Sequence, residues 1–162
     1  MVIQKIENKD IDCVAPLVAK FRDTLRGLKG YLPRDDLSAA GKKWMDYCQP
    51  GFSTYIAYEG SQCVGYLVCR IDTPTVWVES VYVLPEFRKK GIASALYEQA
   101  ERLAQSFGED TVYNYVHPNN DAMIGFLRKR GYDVLNMIEI RKKYEGEVIR
   151  MKVQVGEHQF DY

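Results

Sequence analysis

Short apolar runs and longer three-to-four-residue repeats succeed one another along this chain, separated by breaks rich in glycine, proline and charge. Val2 to Glu7 reads as a strand, and Asp10 is placed to cap a helix whose apolar face is Ile11, Val14, Leu17, Val18, Phe21 and Leu25. Gly27 and Gly30 break that helix, and Leu37, Ala40, Trp44, Met45 and Cys48 form a weaker second helical pattern that stops at Pro50-Gly51. Thr54 to Glu59 and Gln62 to Ile71 read as strands joined through Glu59-Gly60-Ser61, and Thr73-Pro74 leads into a further strand, Val76 to Leu84. Ile92, Leu96, Ala100, Leu103 and Phe107 then repeat at helical spacing up to Gly108, a natural C-terminal cap. Val112 to Val116 is the next expected strand. Asn120 can cap a short helix bearing Met123, Phe126 and Leu127 and ending at Gly131, and extended chain follows from Tyr132 through Ile140 and from Val148 to Val155. The order is mixed α/β, with no internal repeat and no linker, so residues 1–162 are expected to form a single domain with helices flanking a mostly antiparallel sheet.

Composition narrows the class without changing that picture. A length of 162 residues with 46% hydrophobic residues suits one globular core. Lys plus Arg and Asp plus Glu each number 22, so the formal charge is zero, which argues against a protein that coats nucleic acid by neutralising phosphates. Cysteines 13, 48, 63 and 69 form no Cys-x-x-Cys pair, and with only His117 and His158 to help them no metal cluster is expected. Reduced, buried thiols are the expected state. No apolar signal core follows Met1-Val2-Ile3 and no run is long enough to span a bilayer, so the expectation is a soluble cytoplasmic protein.

The chemistry begins at Arg88-Lys89-Lys90-Gly91-Ile92-Ala93, where the strand Val76 to Leu84 gives way to a helix. The first N–H groups of a helix lack intrahelical partners and carry partial positive charge, so a glycine-bearing basic loop there favours a phosphate or pyrophosphate. Neither the Walker pattern nor the dinucleotide pattern Gly-x-Gly-x-x-Gly is present. The pattern that is present, Arg-x-x-Gly-x-Ala, resembles the pyrophosphate loop of the GNAT superfamily of N-acetyltransferases. Asn120-x-x-Met123-x-x-x-Leu127-x-x-x-Gly131-Tyr132 resembles that family's second signature, and the order of elements fits the GNAT fold along nearly the whole chain.

The resemblance implies acetyl-coenzyme A as donor and a primary amine, on a small molecule or on a protein or peptide, as acceptor. It implies that the strand before the loop is splayed from Val112 to Val116. Backbone groups of Val81 and Val83 would then bind pantetheine, amides of Arg88, Lys89, Lys90, Gly91, Ile92, Ala93 and Ser94 would hold the pyrophosphate, and Asn120, Phe126 and Leu127 would flank the cofactor arm. Direct attack in a ternary complex needs a neutral amine, although a free alkylammonium has a pKa of about 10.4. Glu79, a carboxylate in an apolar strand, is a candidate general base, and it could equally be an ion-pair partner of Arg70. The family's proton-donating tyrosine is replaced by Leu127, which leaves Tyr115, Tyr132 or solvent to protonate the departing thiolate. A non-catalytic acyl-coenzyme A binding or sensing module is the alternative that this replacement raises. Tyr31, Leu32, Asp35, Asp36 and Trp44 are candidate acceptor-lining residues, and Asp35-Asp36 could attract a cationic amine or serve as helix caps. The C-terminal strands, ending in Phe160-Asp161-Tyr162, could complete the sheet or exchange with a second subunit in a homodimer.

Overall fold

The structure is a computed structural model that describes residues 1–6 and 11–162, so the expected cap at Asp10 lies outside the described residues. It contains two compact units, Met1–Gly125 and Phe126–Tyr162. The first unit holds a five-stranded sheet in the order β1 (Val2–Ile6), β2 (Phe52–Glu59), β3 (Gln62–Asp72), β4 (Thr75–Val83) and β5 (Tyr113–Asn114). Neighbours from β1 to β4 are antiparallel, and β5 joins β4 in parallel. Three helices belong wholly to this unit: α1 (Ile11–Leu28), α2 (Leu37–Tyr47) and α3 (Ile92–Ser106).

Both faces of the sheet are covered, which is why β2 and β3 read as nearly continuous apolar runs. On one face Val14, Leu17 and Val18 of α1 and Ala40, Trp44 and Tyr47 of α2 pack with Ile56, Tyr66, Val68 and Tyr82. Aromatic edges hold this layer together, with Phe21 against Tyr66 and Tyr82 and Trp44 against Tyr66. The α3 helix packs on the other face, and there Gly65 is obligatory for closeness. A Cβ at that position would lie 2.8 Å from the Tyr82 carbonyl oxygen and 3.4 Å from Leu96 of α3.

A disulfide joins Cys13 of α1 to Cys63 of β3, so the expectation of reduced thiols is corrected for these two residues. The sequence gives no cue to it: the partners are 50 residues apart and meet only because α1 packs on β3. Cys69 stays a thiol, and burial pushes its pKa up to about 12.

The α4 helix (Asp121–Lys129) begins in the first unit and ends in the second. The second unit otherwise consists of irregular chain and one hairpin, β6 (Lys152–Val155) with β7 (His158–Asp161). Tyr132 to Ile140 is not a strand, and of Val148 to Val155 only the last four residues are. Val134 is 87% exposed and Leu135 69% exposed, and an extended run without a ladder has nothing to fix its dihedrals. Val112 to Val116 likewise forms a strand only at Tyr113–Asn114. Among the described residues no helix is long and apolar enough to cross a membrane.

Candidate functional site

Three features of the first unit converge around β4. At its C-terminal end a 3-10 turn, Pro85–Phe87, leads into the basic loop, where Lys89 has φ 60° and Gly91 has φ 82°. Gly91 is the N-cap residue of α3, and no side chain caps that helix, so the amides of its first turn are left to a ligand or to water. A Cβ at Gly91 would meet nothing within 4 Å, so glycine is needed here for its left-handed backbone rather than for crowding within the chain. Arg88 is half committed. Its Nε donates to the Val83 carbonyl at 2.9 Å and its guanidinium lies over Tyr82, which ties the loop to the strand end while its charge stays at the helix N-terminus.

The second feature is the parting of β4 and β5. They pair only at Trp77 with Tyr113 and at Val78 with Asn114, so among the described residues β4 from Glu79 to Val83 has no strand on that side. Asn114 is held instead by the Tyr97 hydroxyl of α3, which donates to its Oδ1 at 2.8 Å. Val81 and Val83, the residues expected to receive pantetheine, lie in this opened stretch. The chain therefore offers a slot between strands that ends at an uncapped helix N-terminus, a shape and charge that fit coenzyme A.

The third feature is a β-bulge. Val68 pairs with Ser80 and Cys69 pairs with Val78, which leaves Glu79 as an extra residue on β4. Bulges re-aim side chains, and this one turns Glu79 toward the face that carries α1 and α2. Its Oε2 lies 3.6 Å from Arg70 Nε. Arg70 also pairs with Asp72 and lies over the Trp77 ring, 5.3 Å from its centroid. The ion pair anticipated for Glu79 is therefore present. Both side chains are close to 30% exposed, where such a pair is screened and an incoming amine can compete for the carboxylate.

Tyr115 is 63% exposed and stacked on Trp77 at 4.7 Å with an interplanar angle of 8°. Tyr113 lies against the same ring, so β4 and β5 present three aromatic rings on the Glu79 side. Next to Glu79, Ser80 is buried and shares a 2.8 Å hydrogen bond with the Tyr66 hydroxyl. Burial first, then the charge of Glu79, pushes the Tyr47 phenol up to about 12.

Asn120 caps α4 as expected, its Oδ1 accepting from the Met123 N–H at 3.2 Å. Leu127 is buried, and Arg130 lies over the Phe126 ring in the second unit. Of the acceptor-lining candidates, Trp44 is 1% exposed and belongs to the core. Asp36 caps α2 through the Ala39 N–H, while Tyr31 and Leu32 are exposed. Sequence reasoning missed Trp77, Tyr47 and Ser80. Their signal was faint, because the pairing that brings them to Glu79 depends on the bulge.

Residues 19–132 match the model of the acetyltransferase (GNAT) family, and the chain belongs to that family. It is 26% identical over 103 residues to the probable N-acetyltransferase san of Drosophila melanogaster, covering 60% of this chain and 56% of that protein. It is 25% identical over 108 residues to N-alpha-acetyltransferase 50 of Danio rerio, covering 64% and 62%. The chain thus spans only a little over half the length of these relatives. Among solved structures, AAC(6')-Iy in complex with the bisubstrate analogue CoA-S-monomethyl-acetylneamine shares the fold at a TM-score of 0.64 and 18% identity, covering 88% of this chain and 97% of that one.

Proposed function

We propose that this protein is an N-acetyltransferase that moves acetyl from acetyl-coenzyme A to a primary amine by direct attack in a ternary complex. The observation that carries the reading is the opened edge of β4 running into the Gly91 turn and the uncapped N-terminus of α3. Family membership and relatives with acetyltransferase names support it. In this reading, the backbone groups of Val81 and the N–H of Val83 bind pantetheine as an added strand would, while the Val83 carbonyl is held by Arg88. Amides from Arg88 to Ser94 hold the pyrophosphate, and Asn120 flanks the arm.

Glu79 accepts a proton from the acceptor ammonium, and Arg70 yields the carboxylate as the amine arrives. The freed amine forms the C–N bond as the C–S bond of the thioester breaks, and the nitrogen loses its second proton to solvent as the amide forms. Tyr115, fixed by its stack on Trp77, supplies the proton that the leaving thiolate takes up, and solvent serves the same purpose where the phenol is out of reach. Leu127 supports a second reading, a module that binds acyl-coenzyme A without turnover, because that position carries no acidic group.

Both readings require donor binding, which thermal unfolding with acetyl-coenzyme A tests. A stabilising shift is expected, and Gly91→Glu is expected to abolish it by adding charge and bulk where the phosphates approach and by straining a φ of 82°. No shift at saturating donor would sink both readings. Mass spectrometry of an amine and peptide panel then decides between them, since acetylated product is expected only from the enzyme.

A further inference from the structure

We propose that the cavity between α1 and the segment joining it to α2 binds an oxyanion, a carboxylate or phosphate, carried by the amine acceptor. This rests on the acetyltransferase reading and gives the acceptor a chemical class. The cavity measures about 230 Å³ and is lined by Arg22, Arg26 and Arg34 together with Asp23 and Asp36. That is smaller than the roughly 300–1,000 Å³ of sites that enclose a whole drug-sized ligand, and it suits a head group.

The carboxylates in the lining are already spent on the backbone. Asp23 accepts from the N–H groups of Arg34 and Asp35 at 2.8 and 3.1 Å, and Asp36 accepts from Ala39 at 2.8 Å as the α2 cap. The guanidiniums are not spent in the same way. Among the described residues, the side chains of Arg22 and Arg34 make no hydrogen bond or ion pair. Arg26 donates through its Nε to the Leu32 carbonyl at 2.8 Å and lies over the Tyr31 ring, which leaves its terminal nitrogens as donors. Three forked donors around one opening outnumber the two carboxylates, of which Asp23 also feels the charges of Arg26 and Arg22, and the remaining donors form a site for a planar or tetrahedral oxyanion.

The cavity and Glu79 act on one group. Phe21, next to Arg22 on α1, packs on Tyr66, whose hydroxyl bonds Ser80 beside Glu79, and the Tyr47 phenol is raised by the charge of Glu79 and lowered by that of Arg22, so both charges address the face of the sheet that α1 and α2 cover. An acceptor whose anion is held by the arginines would present its ammonium toward the Glu79 carboxylate. A polycation would instead meet a lining in which three arginines outnumber two carboxylates.

The test has two arms. In the first, acetate and inorganic phosphate are titrated into the full chain while arginine Nε–Hε resonances are followed by NMR. Saturable shifts are expected at Arg22, Arg26 and Arg34, weakened about tenfold in an Arg22→Gln/Arg34→Gln variant. In the second, kcat/KM is compared within matched pairs, β-alanine with propylamine and phosphoethanolamine with ethanolamine. The anionic member is expected to lead by about tenfold or more, through KM, and the variant to lose that lead. The more favoured pair tells a carboxylate acceptor from a phosphate one. Absence of saturable shifts, a preference for spermidine, or an anion preference that survives the substitutions would overturn the proposal. Shifts produced by coenzyme A and not by acetate or phosphate would also overturn it. If no amine is acetylated at all, the enzyme reading fails, and the NMR arm still judges the cavity by itself.

Discussion

At the scale of single residues, Glu79 and Gly91 separate chemistry from binding. Glu79→Gln keeps the side-chain volume and removes the base, so kcat is expected to fall about 100-fold or more while donor affinity, read by thermal shift, stays as it was. Unchanged turnover would return Glu79 to the role of partner for Arg70. The basic loop was legible in the sequence because its features are local: a glycine at a strand-to-helix turn, cations beside it, and a helix whose first amides are unpaired. Arg70 was legible only as a possible cation for Glu79. Trp77 and Ser80 were not, because a side chain's face in a strand depends on the register with a neighbour, and one extra residue changes it. Trp44 looked like a pocket wall by position, but its place on the inner stripe of α2 buries it against Tyr66.

At the scale of elements, the segment between α1 and α2 is held by Asp23. The hydrogen bond from the Arg34 N–H, aided by that from Asp35 and by Arg26 and Arg22, keeps the Asp23 carboxyl below its ordinary value of 3.8. A lowered acid pKa means that the folded state binds this proton less readily than the unfolded chain does. The stabilisation is therefore fully present above 3.8 and is lost as pH falls through the lower, folded value. The Arg34 and Asp35 amide resonances are expected to titrate together with a midpoint below 3.8, and Asp23→Asn to loosen the segment at neutral pH. Amides that titrate independently of one another would refute the clasp. The helices and β1 to β4 were readable in outline from periodicity. Tyr132 to Ile140 was misread because a run rich in apolar residues makes a strand only where another strand accepts the ladder.

At the scale of the whole molecule, the disulfide between Cys13 and Cys63 ties the first helix to the middle of the sheet across 50 residues of sequence. Such links typically contribute about 2–4 kcal/mol, so reduction is expected to lower Tm by roughly 4–16 °C. Cys13→Ser should show the same loss without reductant, and a Tm indifferent to both would mean that packing alone holds α1 in place. Disulfides are uncommon in reducing compartments, so the redox state of the purified chain bears directly on where the protein works. The bulge at Glu79 has a consequence of a different kind, in what the chain can lose. Pairing on both sides of Glu79 is complete without it, so deleting this residue is expected to turn β4 into a regular strand, with every other side chain on its present face and Tm little changed. Deleting Val81 instead would move Ser80 to the opposite face and break its hydrogen bond with Tyr66, so a clear fall in Tm is expected. The proposed base thus stands on a residue that the architecture can spare, and in descendants of this chain the reaction could vanish by one lost codon while the fold went on unaltered.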